Sequence, residues 1–280
     1  TASRTWALSL VQQMLIRLRH RYSAHSTPIL DTNLLVQHFR SARKRLFLLD
    51  YDGTLTPIVK DPAAAVPSQR LLDAMHALTN DTRNIVYIIS GRDEAFLSKH
   101  FSQFPALGLS AEHGSYFKEH GIGSTWQNLS AELDMSWKGD VLNVFRYFTD
   151  RTLGSNIEEK KSSIVWHYRN ADPDFGSFQA KECQSLLDNI LSQNDLQVEV
   201  VVGKKNVEVR PLAINKGEIV HRILYSNPDT DFVFCAGDDK TDEDMFRFLS
   251  NLANDTSEKE PSSPTGGMNT MMIMPPAPLS

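Results

Sequence analysis

Short, continuous apolar runs are the dominant pattern in this chain. Three of them, Leu46–Leu49, Asn84–Ile89 and Phe232–Ala236, each lead into polar residues or a Gly turn. Runs this short are typical of strands buried on both faces of a parallel sheet. A helical period of apolar positions from Asn215 to Leu224 precedes the third run. The pattern therefore predicts an α/β fold with a mostly parallel, Rossmann-like sheet.

A long segment between the second and third runs has its own pattern. Trp137–Tyr147 and Phe175–Leu191 have helical spacing, Ser163–Arg169 alternates as a strand, and Gln197–Arg210 predicts a hairpin with a polar turn. We expect this inserted α/β cap domain to lie over the carboxyl ends of the core strands, where caps exclude water and supply specificity. The predicted organisation is an N-terminal helical linker segment at 1–40, core parts at 41–118 and 206–253, a cap at 119–205 and a disordered tail at 254–280.

The two ends of the chain depart from the globular pattern. The first thirty positions contain no Asp or Glu, a composition that fits a transit peptide. The alternative, which we favour, is an amphipathic helix with apolar residues at 6, 10, 14 and 18 that packs on a preceding domain. Ser, Pro and acidic residues accumulate after Asn254 and predict disorder, with an edge strand at Met268–Met274.

The composition narrows the class of protein. With 280 residues, 41% hydrophobic and 22% charged, the chain can bury one or two cores. No apolar run is long enough to span a bilayer, and a net charge of -5 argues against nucleic acid as the main ligand. Cys183 and Cys235 give no disulfide framework, so we expect two small core residues in a reducing, cytoplasmic compartment.

Two carboxylates follow the first apolar run, in Asp50-Tyr51-Asp52-Gly53-Thr54. Open α/β sheets bind ligands at the carboxyl ends of their strands. Alternation along a strand directs the side chains at i and i+2 the same way, and the Gly turn can redirect the second. One carboxylate can then attack a substrate while the other moves a proton. The alternative is a capped acidic turn, which is common for a single Asp before Gly.

The later runs supply groups that such a pair of acids needs. Ser90-Gly91-Arg92 follows the second run, where a hydroxyl and a guanidinium can hold a phosphate. Lys216 places a cation near a helix start, and Gly237–Asp242 places further carboxylates after the third run. Carboxylate oxygens suit a divalent metal ion. Each motif alone is weak, but their order at strand ends and a helix start is specific.

In this order the motifs resemble those of the haloacid dehalogenase-like phosphatases, whose fold is a Rossmann-like core with an inserted cap. The resemblance implies that Asp50 takes the phosphoryl group as an aspartyl phosphate. It implies that Asp52 protonates the leaving oxygen and then activates water. Ser90 and Lys216 correspond to the groups that hold the phosphoryl oxygens. Positioning and charge neutralisation are the main needs of phosphoryl transfer, which agrees with these roles.

The same resemblance implies a metal site. Asp50, the backbone carbonyl of Asp52, and Asp238 correspond to ligands of Mg2+. Asp239 corresponds to a position beside the metal and the lysine. Oxygen ligands suit manganese as well as magnesium, so the choice between the two ions stays open.

Three segments of the predicted cap narrow the resemblance further. Ser155–Lys160, His167–Arg169 and Gly203–Pro211 are similar to the cap signatures of trehalose-6-phosphate phosphatases, and the core motifs fit the same family. The similarity covers roughly 44–250 and is greatest to the phosphatase part of fungal proteins in which a synthase-like domain comes first. That family normally continues with another strand and a helix, from which this chain departs.

The resemblance implies a phosphorylated disaccharide as substrate. The candidate substrate-binding residues are Arg92, His113, Glu158, Lys160, Arg169, Lys204 and Glu208. Among them Glu158, Lys160 and Glu208 would hold sugar hydroxyls, because carboxylates and ammonium groups match the donors and acceptors of a sugar. Lys204 or the adjacent Lys205 would assist. Four alternatives stay open: the Glu-Glu-Lys-Lys run as a solvated face, Arg169 as a structural ion pair, His167 as a satisfied core histidine, and His113 as part of a turn.

The function implied by the resemblance is hydrolysis of trehalose 6-phosphate, the last step of trehalose biosynthesis, by a magnesium-dependent phosphatase. Its expected partners are a preceding synthase-like domain or a trehalose synthase complex. Three other functions stay open: a phosphatase for another phosphosugar such as sucrose phosphate, a phospho-receiver domain, and a silent module that senses the phosphosugar. A receiver usually carries its acids on different strands and lacks a cap. The intact pair Asp50 and Asp52 argues against a silent module.

Overall fold

The computed structural model describes residues 30–59, 64–193, 196–258 and 269–273. Within these residues the chain forms two compact units. The first takes the chain up to Gln127 and again from Lys216 onward, and the second is Asn128–Asn215. The predicted α/β class, with a mostly parallel sheet and an inserted α/β segment, is confirmed.

The described helices and strands follow one another in a largely alternating order. They are α1 (Thr32–Ser41), β1 (Arg45–Leu49), α2 (Gln69–Asn80), β2 (Asn84–Ile89), α3 (Glu94–Phe101), β3 (Gly108–Ala111), β4 (Tyr116–Lys118), β5 (Trp126–Asn128), α4 (Lys138–Thr149), β6 (Asn156–Glu159), β7 (Ile164–His167), α5 (Pro173–Gln193), β8 (Val198–Gly203), β9 (Asn206–Pro211), α6 (Lys216–Ser226), β10 (Phe232–Ala236), α7 (Glu243–Glu258) and β11 (Asn269–Ile273). The sheet of the first unit has the order β11-β10-β1-β2-β3-β4-β5. Its strands are parallel from β11 to β3, and β4 is antiparallel to β3.

Strand β1 lies between β10 and β2, and all of its residues are buried. Its last residue, Leu49, is in register with Ala236 of β10 and with Ile88 of β2. Parallel strands that end in register bring the residues that follow them to one edge of the sheet. The three predicted apolar runs therefore deliver their polar residues to the same place.

Four antiparallel strands, in the order β6-β7-β9-β8, form the sheet of the second unit. One face packs with α4 and α5 into a hydrophobic core that includes Phe145 and Trp166. Side chains alternate along a strand, so Glu158 and Glu208 lie on the opposite face, where both are in register with Val165. This opposite face is called the polar sheet face below.

The limits of the second unit differ from those predicted at 119 and 205. The predicted cut at 205 falls in the turn between β8 and β9, which pair from Val198↔Pro211 to Gly203↔Asn206. A hairpin divided between two units would lose its hydrogen-bonded ladder. Strand β9 therefore belongs to the second unit and not to the core, and the unit ends at Asn215.

The predicted disordered tail from 254 is wrong in part. Helix α7 continues to Glu258, since a helix that is already formed extends into polar residues more easily than it starts there. Strand β11 pairs in parallel with β10 at the sheet edge, which confirms the predicted edge strand. The predicted N-terminal stripe at 6–18 lies outside the described residues. Within the described part of the chain, no helix has the length and apolar character to cross a membrane.

Candidate active site

The ends of the parallel strands fix the backbone of the core site. Asp50 follows β1 and Ser90 follows β2, and both are buried. The amide of Asp50 donates to the carbonyl of Ala236 at 3.0 Å, and the amide of Ser90 donates to the carbonyl of Ser110 at 2.9 Å. The parallel ladder thus continues one residue past the strands, and it holds both positions rigidly.

Lys216 begins helix α6 and carries its ammonium group to the first carboxylate. Its side chain is 1% exposed, and Nζ donates to Oδ1 of Asp50 and to Oδ1 of Asp242, both at 2.6 Å. Burial by itself lowers the pKa of Lys216, but Asp242, Asp50 and Asp239 outweigh that effect, and the net pKa is raised. Lys216 therefore stays charged. The structure brings this predicted lysine and the predicted nucleophile together.

The charge on Asp50 is only partly balanced. Burial raises the pKa of Asp50, the Lys216 ammonium lowers it, and the Asp242 carboxylate raises it again, to about 7 in sum. Two buried carboxylates therefore compete for one ammonium group. A further cation at this point would favour the ionised form of both.

The second predicted carboxylate lies in a tight turn after β1. The amide of Gly53 donates to the carbonyl of Thr56 at 2.8 Å, and the amide of Thr56 donates to the carbonyl of Tyr51 at 3.0 Å. Gly53 has a φ of 91°, a left-handed conformation that favours glycine. In this turn Asp52 forms an ion pair with Arg92. The two acids of the pair therefore have different cationic partners.

Asp242 is a site residue that the sequence analysis missed. It is fully buried, and its Oδ2 accepts from the amides of Asp238 at 2.8 Å and Asp239 at 3.0 Å. Gly237 leaves the space for it, since a Cβ there would lie 2.3 Å from the side chain of Asp242. No local signal identified it, because an acid at the start of a helix is expected to accept from the amides that follow it, whereas Asp242 accepts from amides that precede it.

Three carboxylates of this site can hold a metal ion together. One oxygen each from Asp50, Asp238 and Asp242 lie within 4.8 Å of one another. Gly53 allows the turn after β1 to approach them, since a Cβ there would lie 2.3 Å from the carboxylate of Asp238. An all-oxygen donor set suits a hard divalent cation. The ligand set of Asp50, Asp52 and Asp238 predicted from the sequence did not include Asp242, and the role of the Asp52 carbonyl stays a prediction.

Asp239 and His113 lie beside these groups. Burial raises the pKa of Asp239, but Lys216, the hydrogen bonds from Thr241 and the charge of His113 lower it to about 2. Oδ1 of Asp239 accepts from the amide of Thr241 at 2.8 Å and from its hydroxyl at 2.6 Å. His113 has a φ of 56°, and a Cβ on Gly91 would lie 2.6 Å from its ring. His113 is thus a turn residue and also a neighbour of the Ser-Gly-Arg segment.

The predicted sugar-binding residues lie in the second unit. Nε2 of His167 donates to Oε2 of Glu158 at 2.7 Å. This hydrogen bond and the charge of Lys160 lower the pKa of Glu158, whereas burial and the charge of Glu208 raise it. The hydrogen bond is the largest of these effects, and the net pKa is lowered. Glu158 therefore interacts with three other polar residues of the second unit. His167, weighed as a core histidine in the sequence, is a partner of Glu158 instead.

The adjacent lysines in the turn between β8 and β9 differ from each other. Lys205 has a φ of 67°, and its Nζ donates to Oγ of Ser177 at 3.4 Å. The same Nζ lies 5.8 Å from the centroid of the Tyr168 ring. The side chain of Lys204 is exposed, as is that of Arg169. Lys205 is therefore held against α5, whereas Lys204 is the more exposed of the two.

The family model described as Trehalose-phosphatase matches residues 48–271, a range that includes both acids, Lys216 and the carboxylates after β10. The chain belongs to the trehalose-phosphatase family. It is 51% identical over 249 residues to the trehalose-phosphatase of Schizosaccharomyces pombe, a match that covers 88% of this chain and 30% of that protein. It is 46% identical over 231 residues to alpha,alpha-trehalose-phosphate synthase (UDP-forming) B of Dictyostelium discoideum, covering 82% of this chain and 29% of that protein.

A solved member of the trehalose-phosphatase family has the same fold. The C-terminal domain of trehalose-6-phosphate phosphatase from C. albicans is 45% identical, with a TM-score of 0.82, and the match covers 90% of this chain and 89% of that one. The chain spans less than a third of the length of the two curated relatives. The family match therefore describes the segment that carries both the acidic site and the polar sheet face.

Proposed function

We propose that this chain hydrolyses trehalose 6-phosphate to trehalose and phosphate. The observation that carries the proposal is the buried ion pair of Asp50 with Lys216, in a chain of the trehalose-phosphatase family. Phosphoryl transfer needs a positioned nucleophile and groups that offset negative charge, and this strand end supplies both. The separate ion pair of Asp52 supports a different task for the second carboxylate.

The proposed reaction has two steps. In the first, an oxygen of Asp50 attacks phosphorus, the bond from phosphorus to the sugar oxygen breaks, and Asp52 gives that oxygen a proton. In the second, Asp52 takes a proton from water while the water oxygen attacks the phosphorus of the aspartyl phosphate. The bond from phosphorus to Asp50 breaks, and phosphate leaves. Ser90 and Lys216 hold the phosphoryl oxygens in both steps.

A divalent cation, in our proposal Mg2+, fits the carboxylates beside the nucleophile. Asp50, Asp238 and Asp242 would hold it through the oxygens that lie within 4.8 Å of one another, together with the backbone carbonyl of Asp52. When bound, the ion offsets the negative charge of the carboxylates and of the phosphoryl group. Asp239, whose pKa is lowered to about 2, stays charged and supports the ammonium group of the lysine.

The polar sheet face and the turn beside it are proposed to bind the disaccharide. Glu158 and Glu208 offer acceptors to sugar hydroxyls, and Lys160 offers a donor. Lys204 is the better candidate of the two adjacent lysines, because Lys205 is held against α5. Arg169 and His113 are further candidates. Binding energy from hydroxyls remote from the phosphate can then be used to exclude water and to align the reacting atoms.

The greater length of the relatives supports a proposal about context. The D. discoideum relative is named as a synthase, and this chain matches 29% of its length. We infer that the segment acts beside a synthase-like domain or within a trehalose synthase complex, in the cytoplasm. Such proximity would raise the concentration of the phosphosugar near the phosphatase.

Phosphate release from a panel of phosphosugars tests this function. The protein is freed of metal ions by a chelator and dialysis, and is then assayed with and without Mg2+ or Mn2+. We expect kcat/KM for trehalose 6-phosphate to exceed that for sucrose 6-phosphate by about 10-fold or more, and we expect turnover only with an added cation. A preference for sucrose 6-phosphate would contradict trehalose 6-phosphate as the substrate. Phosphorylation without turnover would indicate a receiver, binding without reaction would indicate a sensor, and full activity in excess chelator would contradict the metal site.

A further inference from the structure

The guanidinium group of Arg92 is bonded to both carboxylate oxygens of Asp52. Nε donates to Oδ2 at 2.7 Å, and Nη2 donates to Oδ1 at 2.6 Å. The side chain of Arg92 is 16% exposed and that of Asp52 is 38% exposed. Two parallel hydrogen bonds fix the rotation of a carboxylate as well as its position. This contact therefore defines where the proton-transfer group of the site points.

Arg92 is itself held at its backbone and at its side chain. Its amide donates to Oγ of Ser90 at 3.1 Å, and its carbonyl accepts from the amide of Glu112 at 2.9 Å. The guanidinium lies 4.5 Å from the centroid of the Phe96 ring. That ring packs against Tyr51, with the ring centroids 5.5 Å apart. Because Tyr51 stands between the two acids, the packing connects the end of β2 to the turn after β1.

We propose that Arg92 is a positioning residue for Asp52, which holds its carboxylate in the orientation used for proton transfer. The proposal rests on the proposed function, since it requires Asp52 to move the proton. Asp52 is more than a third exposed and lies in a turn, so packing alone does not select one rotamer for it. The resemblance implies that Arg92 binds substrate, whereas its contacts assign it to the acid.

The chemistry of the leaving group separates this role from phosphate binding. A sugar oxygen or a phenol oxygen needs a proton as it leaves, whereas 2,4-dinitrophenolate leaves as a stable anion. The ratio kcat/KM covers the steps up to departure of the leaving group, and kcat also includes hydrolysis of the aspartyl phosphate. Loss of positioning should therefore lower kcat/KM only for esters with poor leaving groups. An arginine that binds the phosphate would affect every ester alike.

The experiment compares Arg92→Met, Arg92→Lys, Asp52→Asn and the double variant Asp52→Asn/Arg92→Met with the wild-type protein. The substrates are trehalose 6-phosphate, phenyl phosphate and 2,4-dinitrophenyl phosphate, all with Mg2+ present. We expect Arg92→Met to lower kcat/KM about 30-fold on the first two esters, within the range of general acid catalysis, and less than about 3-fold on the third. On 2,4-dinitrophenyl phosphate, kcat and KM should fall by a similar factor, so that their ratio changes little. The reason is that Asp52 also activates water in the second step, and slower hydrolysis of the aspartyl phosphate lowers both constants.

Two comparisons make the result specific. In the Asp52→Asn background, Arg92→Met should lower kcat/KM no more than about 3-fold further. The effects of two residues that act through each other are not additive. Arg92→Lys should give rates between those of Arg92→Met and wild type, since lysine cannot form the bidentate pair. Arg70→Met changes an exposed arginine of α2 and is the matched control, with unchanged rates expected on all three esters.

Several outcomes would overturn the proposal. Equal losses on all three esters with a raised KM would assign Arg92 to the phosphate, and equal losses with earlier unfolding in urea would assign it to the fold. A further loss of about 30-fold in the Asp52→Asn background would show that the two residues act independently. Wild-type protein that hydrolyses phenyl phosphate but not trehalose 6-phosphate would refute the proposed substrate, and the two aryl esters would still decide the role of Arg92. Inactivity of the wild-type protein on all three esters would overturn both the proposed function and the positioning role of Arg92.

Discussion

The acidic site of the first unit and the polar sheet face of the second unit differ in how far their charged residues are exposed to water. In the acidic site, Asp50, Lys216 and Asp242 are 5%, 1% and 0% exposed and are bonded to one another. On the polar sheet face, Glu208 is also buried, at 5% exposed, but the side chain of Glu158 is 49% exposed. Buried charges are costly unless each finds a partner, whereas exposed ion pairs contribute about 0 to 1 kcal/mol. The acidic site therefore has one favourable arrangement, and the exposed Glu158 on the polar sheet face can rearrange around a ligand.

This contrast matches two chemical tasks. Groups that offset charge in a transition state are effective when they are already in place, because no reorganisation is then needed during the reaction. Groups that recognise a sugar must exchange hydrogen bonds with water for hydrogen bonds with hydroxyls. Changes in the acidic site should therefore affect every phosphate ester, and changes on the polar sheet face should affect only substrates that carry the sugar.

Asp50→Asn should have the largest effect. An amide cannot form the aspartyl phosphate, so we expect kcat to fall at least about 1,000-fold on any phosphate ester. Folding should change little, because Lys216 keeps Asp242 as a partner. Phosphate release and urea unfolding measure the two effects, and Asp73→Asn, an exposed residue of α2, is the control. Turnover of Asp50→Asn near the wild-type rate would show that Asp50 is not the nucleophile.

Asp242→Asn should harm both chemistry and folding. Asp242 pairs with the buried ammonium of Lys216 and accepts from the amides of Asp238 and Asp239. We expect the free energy of unfolding to fall by about 3 kcal/mol, as for other broken buried pairs, and kcat/KM to fall roughly 100-fold. Urea unfolding of this variant beside Asp50→Asn gives the comparison. Equal stability of the two would show that Asp242 does not hold the loop.

The core of the site could be predicted from the sequence because its signals are local. Each buried strand is a short apolar run, and Asp50, Ser90 and Asp238 stand at or just after the ends of such runs. In parallel strands that end in register, position after the strand is enough to bring residues together. Lys216 could be placed because it opens a helix with a clear apolar period.

The remaining features depend on contacts that local patterns do not encode. Strand β6 contains one apolar residue, Ile157, and forms because its backbone pairs with β7. The contribution of Asp242 comes from the folding of its loop back onto the amides after β10. The pairing of Arg92 with Asp52 joins residues at the ends of two different strands. In each case tertiary structure decides between several local alternatives.

Glu158→Ala tests the polar sheet face directly. The substitution removes the carboxylate that we propose binds a sugar hydroxyl. It also leaves His167 without this partner. We expect kcat/KM for trehalose 6-phosphate to fall about 100-fold, since a lost hydrogen bond to a charged group costs about 2 to 3 kcal/mol. Hydrolysis of a small aryl phosphate should change little.

Glu159→Ala is the matched control for that variant, because Glu159 is the exposed neighbour on the same strand and its side chain lies on the other face. It should leave both substrates unaffected. Equal losses on both substrates for Glu158→Ala would mean that Glu158 supports the fold. Unchanged rates on both would mean that the Glu-Glu-Lys-Lys run is a solvated face.

The smallest expected effect separates the two adjacent lysines of the turn between β8 and β9. Lys205 donates to Ser177 and lies over the ring of Tyr168, whereas Lys204 is exposed. We expect Lys204→Ala to lower kcat/KM for trehalose 6-phosphate about 10-fold, the low end of the range for a hydrogen bond to a charged group, because water competes for an exposed ammonium group. Lys205→Ala should change that ratio less than about 3-fold and should instead lower the urea midpoint slightly. The reverse ranking on trehalose 6-phosphate would show that the turn rearranges when the sugar binds, and that Lys205 leaves α5 to reach it.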